Sequence, residues 1–258
     1  MPQGTAERRT RRWTPTEADA VFELENGARM DQKTFHALYL KTPEGFKAEL
    51  IGGTVYVMSS PVSPRHGKSH FRVVLWLGLY ADETPGTEGV DNTTTVLAAE
   101  SEPQPDAALL ILPEYGGRVT IVEDRHVSGP LDLVVEVAHT RRAIDLGAKK
   151  RDYEAAGVRE YVVVLAKEQS VRWFRRSDAG FAEVSAGDDG LFRSTVFPGL
   201  WLDPKGLFSP TSRPLTAAVR RGLASPEHAA FVAELEARRA AARRGKKRPG
   251  NKPPRKTK

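Results

Sequence analysis

Cysteine is missing from the 258 residues, which excludes disulfides, thiolate zinc sites and cysteine catalysis and fits a reducing compartment. Long apolar runs are missing too. The longest, Phe71 to Tyr80, is ten residues and contains Arg72, whereas crossing a bilayer takes roughly 20, so no membrane span is expected. An apolar segment is also lacking behind the arginine-rich N-terminus. The acidic stretch Thr14 to Glu25 stands where a secretory signal would carry one, and a cytoplasmic protein is expected. What remains is the composition of a folded domain, 40% apolar with 22 glycines. That suits one core of about 200 residues that needs neither disulfide nor structural metal.

Acid is absent from residues 238–258, which hold eleven Lys/Arg, among them Arg243, Arg244, Lys246, Lys247 and Arg248. The formal charge of +6 therefore belongs to the tail: residues 1–237 carry 28 Lys/Arg against 33 Asp/Glu, a balance of −5. Four arginines in residues 7–12 leave residues 14–237 at −8. Such a core is a poor nucleic-acid binder by itself, so phosphate attraction is expected mainly from the ends.

Along the chain, Thr14-Pro15-Thr16-Glu17 reads as a capping box opening a short helix that Gly27 stops. A second helix is expected over Asp31 to Leu40. Gly52-Gly53 between Lys47–Ile51 and Thr54–Ser60 signals a two-residue hairpin, because both turn positions need positive φ. Ser63 or Pro64 opens a core helix to about Ala81, with Phe71, Val74, Leu75, Leu77 and Leu79 as its apolar face. Unbroken apolar runs at Ala107–Leu112 and Leu131–Ala138 suit strands covered on both faces, and Val158–Ala166 is expected as a third buried strand. A helix from Arg141 to Ala156, closed by Gly157, links the last two as a crossover. Strands near 170–175, 180–185 and 191–196 follow as a meander. The expected class is α/β or α+β, a mixed sheet flanked by helices. Residues 1–27 form a basic arm and short helix, 28–210 the core domain, 211–242 C-terminal helices, and 243–258 a disordered Lys/Arg-rich tail.

Two carboxylates stand where carboxylates are costly. Alternation in LDLVVEVA puts Glu136 on one face with Asp132, Val134 and Ala138. An ionised group there needs a cation or several hydrogen bonds, or its pKa shifts until it is neutral. Asp106 poses the same problem at the start of another apolar strand. Two carboxylates on adjacent strands could share Mg²⁺ or Mn²⁺, with waters completing the shell. On the following helix Asp145, Lys149 and Tyr153 fall at i, i+4 and i+8 along one slowly drifting face. Lys149 could there position the attacking water, or pair with Asp145 as an ordinary surface couple. His66, near neutral pKa, could carry a proton or contact phosphate, and His139 could tune the site or lie in a solvent-facing loop. Glu49 could be a plain hairpin acid.

The order PDAALLIL, LDLVVEVA, DLGAKKRDYEAAGVREYVVV, with ELIGGTVYVMSSP and His66 upstream and FPGLWLDPKGLF downstream, resembles the Uma-two family of restriction-endonuclease-like proteins, within the PD-(D/E)XK nuclease fold. The resemblance covers residues 28–208. It implies that Glu49, Asp106 and Glu136 are metal-site acids, and that Lys149 rather than Lys150 is the catalytic lysine, displaced to the helix. In the simplest form of the fold lysine sits two residues after the acid, where this chain has Ala138. Further departures are His139 in place of a serine, Val162 of a tryptophan and Leu165 of an aspartate.

The expected function is therefore a Mg²⁺-dependent (or Mn²⁺-dependent) endonuclease acting on nucleic acid, DNA before RNA, with the basic tail raising local substrate concentration. The alternatives are a nuclease fold that binds without cutting, and a protein-interaction domain such as a homodimer.

Overall fold

The computed structural model describes residues 16–58, 63–122, 126–139 and 141–246. The arginine-rich arm, Thr14 and the tail beyond Lys246, with Lys247 and Arg248, lie outside them. Among the described residues no helix is long and apolar enough to cross a membrane.

The chain opens with α1 (Glu17–Glu23), α2 (Gln32–Tyr39) and the hairpin β1 (Ala48–Ile51) and β2 (Thr54–Val57). The cap of α1 is Thr16, whose hydroxyl accepts from the Asp19 N–H while Asp19 reaches back, so the box sits two residues later than Thr14. Gly52 and Gly53 take φ of 54° and 70°, the left-handed pair a tight hairpin needs. Phe35, Leu38, Ala48, Leu50 and Val55 close a small core of their own with Ala20 and Leu24. β1 thereby turns Glu49 away from that core.

α3 (Pro64–Asp82) starts at the Ser63 cap and leads to β3 (Thr87–Asp91) and β4 (Thr95–Val96). Then come β5 (Ala107–Ile111), a 3₁₀ turn, β6 (Thr120–Val122), β7 (His126–Ser128) and β8 (Leu133–Ala138). The crossover consists of α4 (Arg142–Ile144), a π-helical turn (Asp145–Lys149) and α5 (Lys150–Ala156). It is followed by β9 (Glu160–Leu165), β10 (Ser170–Ser177), β11 (Gly180–Val184), β12 (Phe192–Arg193) and β13 (Trp201–Leu202). The helices α6 (Lys205–Phe208), α7 (Arg213–Leu223) and α8 (Pro226–Lys246) complete the described chain.

The central sheet runs β11-β10-β9-β8-β5-β3, with β8 and β9 parallel and every other pair antiparallel. This is the mixed α+β architecture expected, with helices on both faces. On one face Val73, Trp76, Leu77 and Tyr80 of α3 pack on Leu109, Val135, Val162 and Trp173, and Leu215, Val219, Phe231 and Leu235 of α7 and α8 join the same core. On the other, Tyr153 of α5 covers Ala108, Val134, Tyr161 and Val163.

Three expectations are corrected. α3 buries Val73, Trp76, Leu77 and Tyr80, while Phe71 is 71% exposed and Val74 37%; the apolar set read from sequence was out of phase because both faces carry large apolar residues. The strand expected over 191–196 leaves the meander and pairs as β12 with β13, drawn off by Trp201 and Leu202. Residues 243–246, placed in the disordered tail, continue α8, with Arg243 and Arg244 exposed on it.

Candidate active site

One register step beyond Ala107↔Val135 brings Asp106 opposite Glu136, on the face that α5 covers. Asp106 Oδ2 accepts the Val137 N–H at 2.7 Å, which fixes the carboxylate across the strand ends. Glu136, 3% exposed, accepts on one oxygen from Lys149 Nζ at 2.9 Å and from the Tyr153 hydroxyl at 2.8 Å. Lys149 Nζ also meets Glu49 Oε1 at 2.7 Å, an oxygen that takes the Gln104 N–H as well. Glu49 thus belongs to the cluster and is not a free hairpin acid.

The π turn explains how the helix supplies three residues to one point. In a regular α-helix, side chains four apart drift steadily around the axis; the wider i→i+5 turn at Asp145–Lys149 offsets that drift. Asp145 and Lys149 are consequently buried, 6% and 3% exposed, not a surface couple. Lys150 points elsewhere, with its ammonium 5.0 Å from the Phe174 ring centroid.

The Lys149 ammonium pairs directly with Glu49 and Glu136, and its charge also acts on Asp145, where Arg141 adds to it. Burial, opposed by Lys149 and reinforced by Asp106, Asp145 and Glu49, raises the Glu136 pKa well above the carboxylate range. Burial likewise raises Asp145 to about 6. Burial alone would lower the pKa of Lys149, but Glu136, Glu49, Asp145 and Asp106 outweigh it and hold the amine protonated. An ammonium has three N–H groups, and the two glutamates use two.

The histidines sit at the open side. His66 Nε2 is 3.8 Å from Asp106 Oδ1, and burial lowers its pKa against the pull of Asp106. His70, one turn on and missed in the sequence, has Nε2 within 2.8 Å of the Asp106 carbonyl and 2.9 Å of Asp91 Oδ1. Its signal was the i, i+4 spacing from His66. His139 is half-buried after β8 and bears on His66 through charge.

Asp106 Oδ1 and Glu136 Oε2 accept no hydrogen bond among the described residues. Two hard oxygens on adjacent strands fit Mg²⁺ or Mn²⁺, which keep several waters when bound by one or two carboxylates. Among the described residues no group of three or more His, Asp or Glu side chains is placed to hold a metal ion together.

Other buried acids are accounted for differently. Asp132 is held by the Ile111 N–H, Arg118 and Arg159, and Glu102 by Gln32 and His36.

A mixed sheet between helices, with carboxylates of neighbouring strands meeting a lysine beneath, defines a nuclease-like class of α+β protein. A solved structure of this architecture, described as a "putative nuclease belonging to DUF820 from Anabaena variabilis", shares 14% identity over 70% of this chain and 96% of its own, with a TM-score of 0.50. The chain belongs to the Uma2 family, described as "Putative restriction endonuclease", whose model matches residues 33–205. No curated protein matches it.

Proposed function

We propose that this protein is a metal-dependent nuclease hydrolysing phosphodiester bonds in nucleic acid, with DNA the favoured substrate. The observation that carries the reading is the meeting of Asp106, Glu136 and Lys149 at one point of the sheet. Asp106 and Glu136 would hold Mg²⁺ or Mn²⁺ through their free oxygens. A divalent ion there supplies Lewis acidity, lowering the pKa of bound water and neutralising charge on the phosphate.

The chain's own residues do the positioning. Glu49 and Glu136 clamp Lys149 from two sides, so its remaining N–H is aimed rather than free to swing. That donor can orient the attacking water or stabilise a phosphate oxygen as charge builds. Tyr153, whose pKa burial and then Glu136 raise, stays protonated and donates to Glu136, keeping its other oxygen turned outward. Covered by α5 on one side and β1 on the other, the cluster has little bulk water to compete with these contacts.

Cleavage of plasmid and duplex oligonucleotide with Mg²⁺ or Mn²⁺ tests the reading. Glu136→Gln and Lys149→Ala are expected to lower the rate by at least about 10²; rates equal to the parent's in both reject the assignment. A second readout is free of activity: ion binding relieves carboxylate repulsion, so millimolar Mg²⁺ or Mn²⁺ raises the Tm of the parent but not of Glu136→Gln.

A further inference from the structure

The carboxylate cluster lies toward the end of the sheet where β8 finishes. Where β9 begins and β10 ends, a second feature stands apart from it. Arg159, Arg175 and Arg176 line a cleft of about 310 Å³ together with Ser177, Asp178 and Thr195. Arg159 precedes Val163, the register partner of Glu136, by four residues, about 13 Å along the strand.

The guanidinium groups are anchored from behind. Arg159 Nη1 donates to Asp132 Oδ1 at 3.1 Å, and Arg175 donates through Nε to Glu160 Oε1 at 3.4 Å and through Nη2 to the Arg193 carbonyl at 3.1 Å. Both carboxylates are fully buried and fixed in turn. The Ile111 N–H and Arg118 hold Asp132, while the Ser194 hydroxyl, at 2.6 Å, and the Thr195 N–H hold Glu160. Arg176 donates to the Glu154 carbonyl and has no carboxylate partner among the described residues.

Each guanidinium is therefore gripped along one edge and keeps further N–H groups for a ligand. Of the residues lining the cleft, Arg159, Arg175 and Arg176 are cationic and Asp178 is acidic, a net positive lining in a core that is otherwise net acidic, while the buried Asp132 and Glu160 hold two of the arginines from behind. Arginines pre-oriented by buried carboxylates match the tetrahedral, multi-oxygen geometry of phosphate better than a lone mobile lysine does.

We propose that this cleft is a phosphate-binding site, and that its occupant is the sugar-phosphate backbone of a nucleic acid, held away from the carboxylate cluster. The occupant rests on the nucleic-acid reading above; the phosphate chemistry does not.

The test is fluorescence anisotropy of a labelled duplex oligonucleotide on the full chain across a salt series, with calorimetric titration of inorganic pyrophosphate beside it. Arg176→Ala leaves the fold intact, because the side chain is exposed, and Arg159→Lys retains the charge facing Asp132. Both are expected to weaken the duplex several-fold; Arg176→Ala, which removes a charge, also lowers the slope of log affinity against log salt by about one, while Arg159→Lys, which keeps it, leaves the slope unchanged. Unchanged duplex affinity and slope together with unchanged pyrophosphate binding in Arg176→Ala overturn the proposal. Loss of pyrophosphate binding with duplex affinity unchanged overturns the nucleic-acid occupant in favour of a small phosphate ester. A parent that cuts nothing, yet loses duplex affinity in Arg176→Ala, sinks the hydrolytic reading and upholds this one.

Discussion

Glu136 and Glu160 lie in neighbouring apolar strands with almost the same local pattern, yet they have different company. Glu160 is enclosed by the Ser194 hydroxyl, the Thr195 N–H and hydroxyl, and Arg175; Glu136 is left with one amine, one phenol and a free oxygen. Glu160→Ala is accordingly expected to lower stability by on the order of 2–3 kcal/mol, read from urea unfolding. The sequence marked Glu136 and Asp106 as misplaced charges and left Glu160 unmarked; the partners that satisfy Glu160 lie 34 and 35 residues away, beyond what spacing can show. Asp145 offers a pH test. Its folded pKa of about 6 exceeds the free value of 3.8, so the native state holds the proton more tightly. Stability then falls as pH rises from about 4 to about 6 and levels off above, a contribution of roughly 3 kcal/mol. Asp145→Asn should show a shallower fall in urea midpoint across that window; a slope equal to the parent's refutes the assignment.

Elements were legible where one periodicity ruled. The hairpin announced itself through Gly52-Gly53, and β5, β8 and β9 through unbroken apolar runs that both helical layers now cover. α3 was misread in phase, since Phe71 and Val74 imitate a core face while Val73 and Trp76 make the real one. Trp76→Ala should destabilise by about 3–5 kcal/mol, whereas Phe71→Ser should stay within about 0.5 kcal/mol; thermal unfolding of the two variants decides which face is inside. The π turn was invisible, because nothing in DLGAK distinguishes it from an α-helical turn. Its effect was still half-anticipated in the alignment of Asp145, Lys149 and Tyr153.

At the scale of the molecule, charge and packing part company at the C-terminus. Phe231 and Leu235 of α8 belong to the main core and Arg239 still stacks over the Tyr115 ring, while residues 247–258 hold no apolar side chain to bury. Truncation after residue 246 should therefore leave Tm unchanged while lowering nucleic-acid affinity and its salt dependence. Truncation after residue 224 should cause loss of cooperative unfolding, as calorimetry would show.

The hairpin carrying Glu49 closes a small core of its own and is tied to the rest of the chain by Glu49 to Lys149 at 2.7 Å, the Gly52 N–H to Asp152 at 2.8 Å, Arg141 to the Val57 carbonyl and the Leu50–Glu102 bridge. Breaking those ties would free the amine while the six strands stay zipped. Warming should therefore silence the molecule before it melts, with amide protons of β1 exchanging ahead of those of β8 and β9.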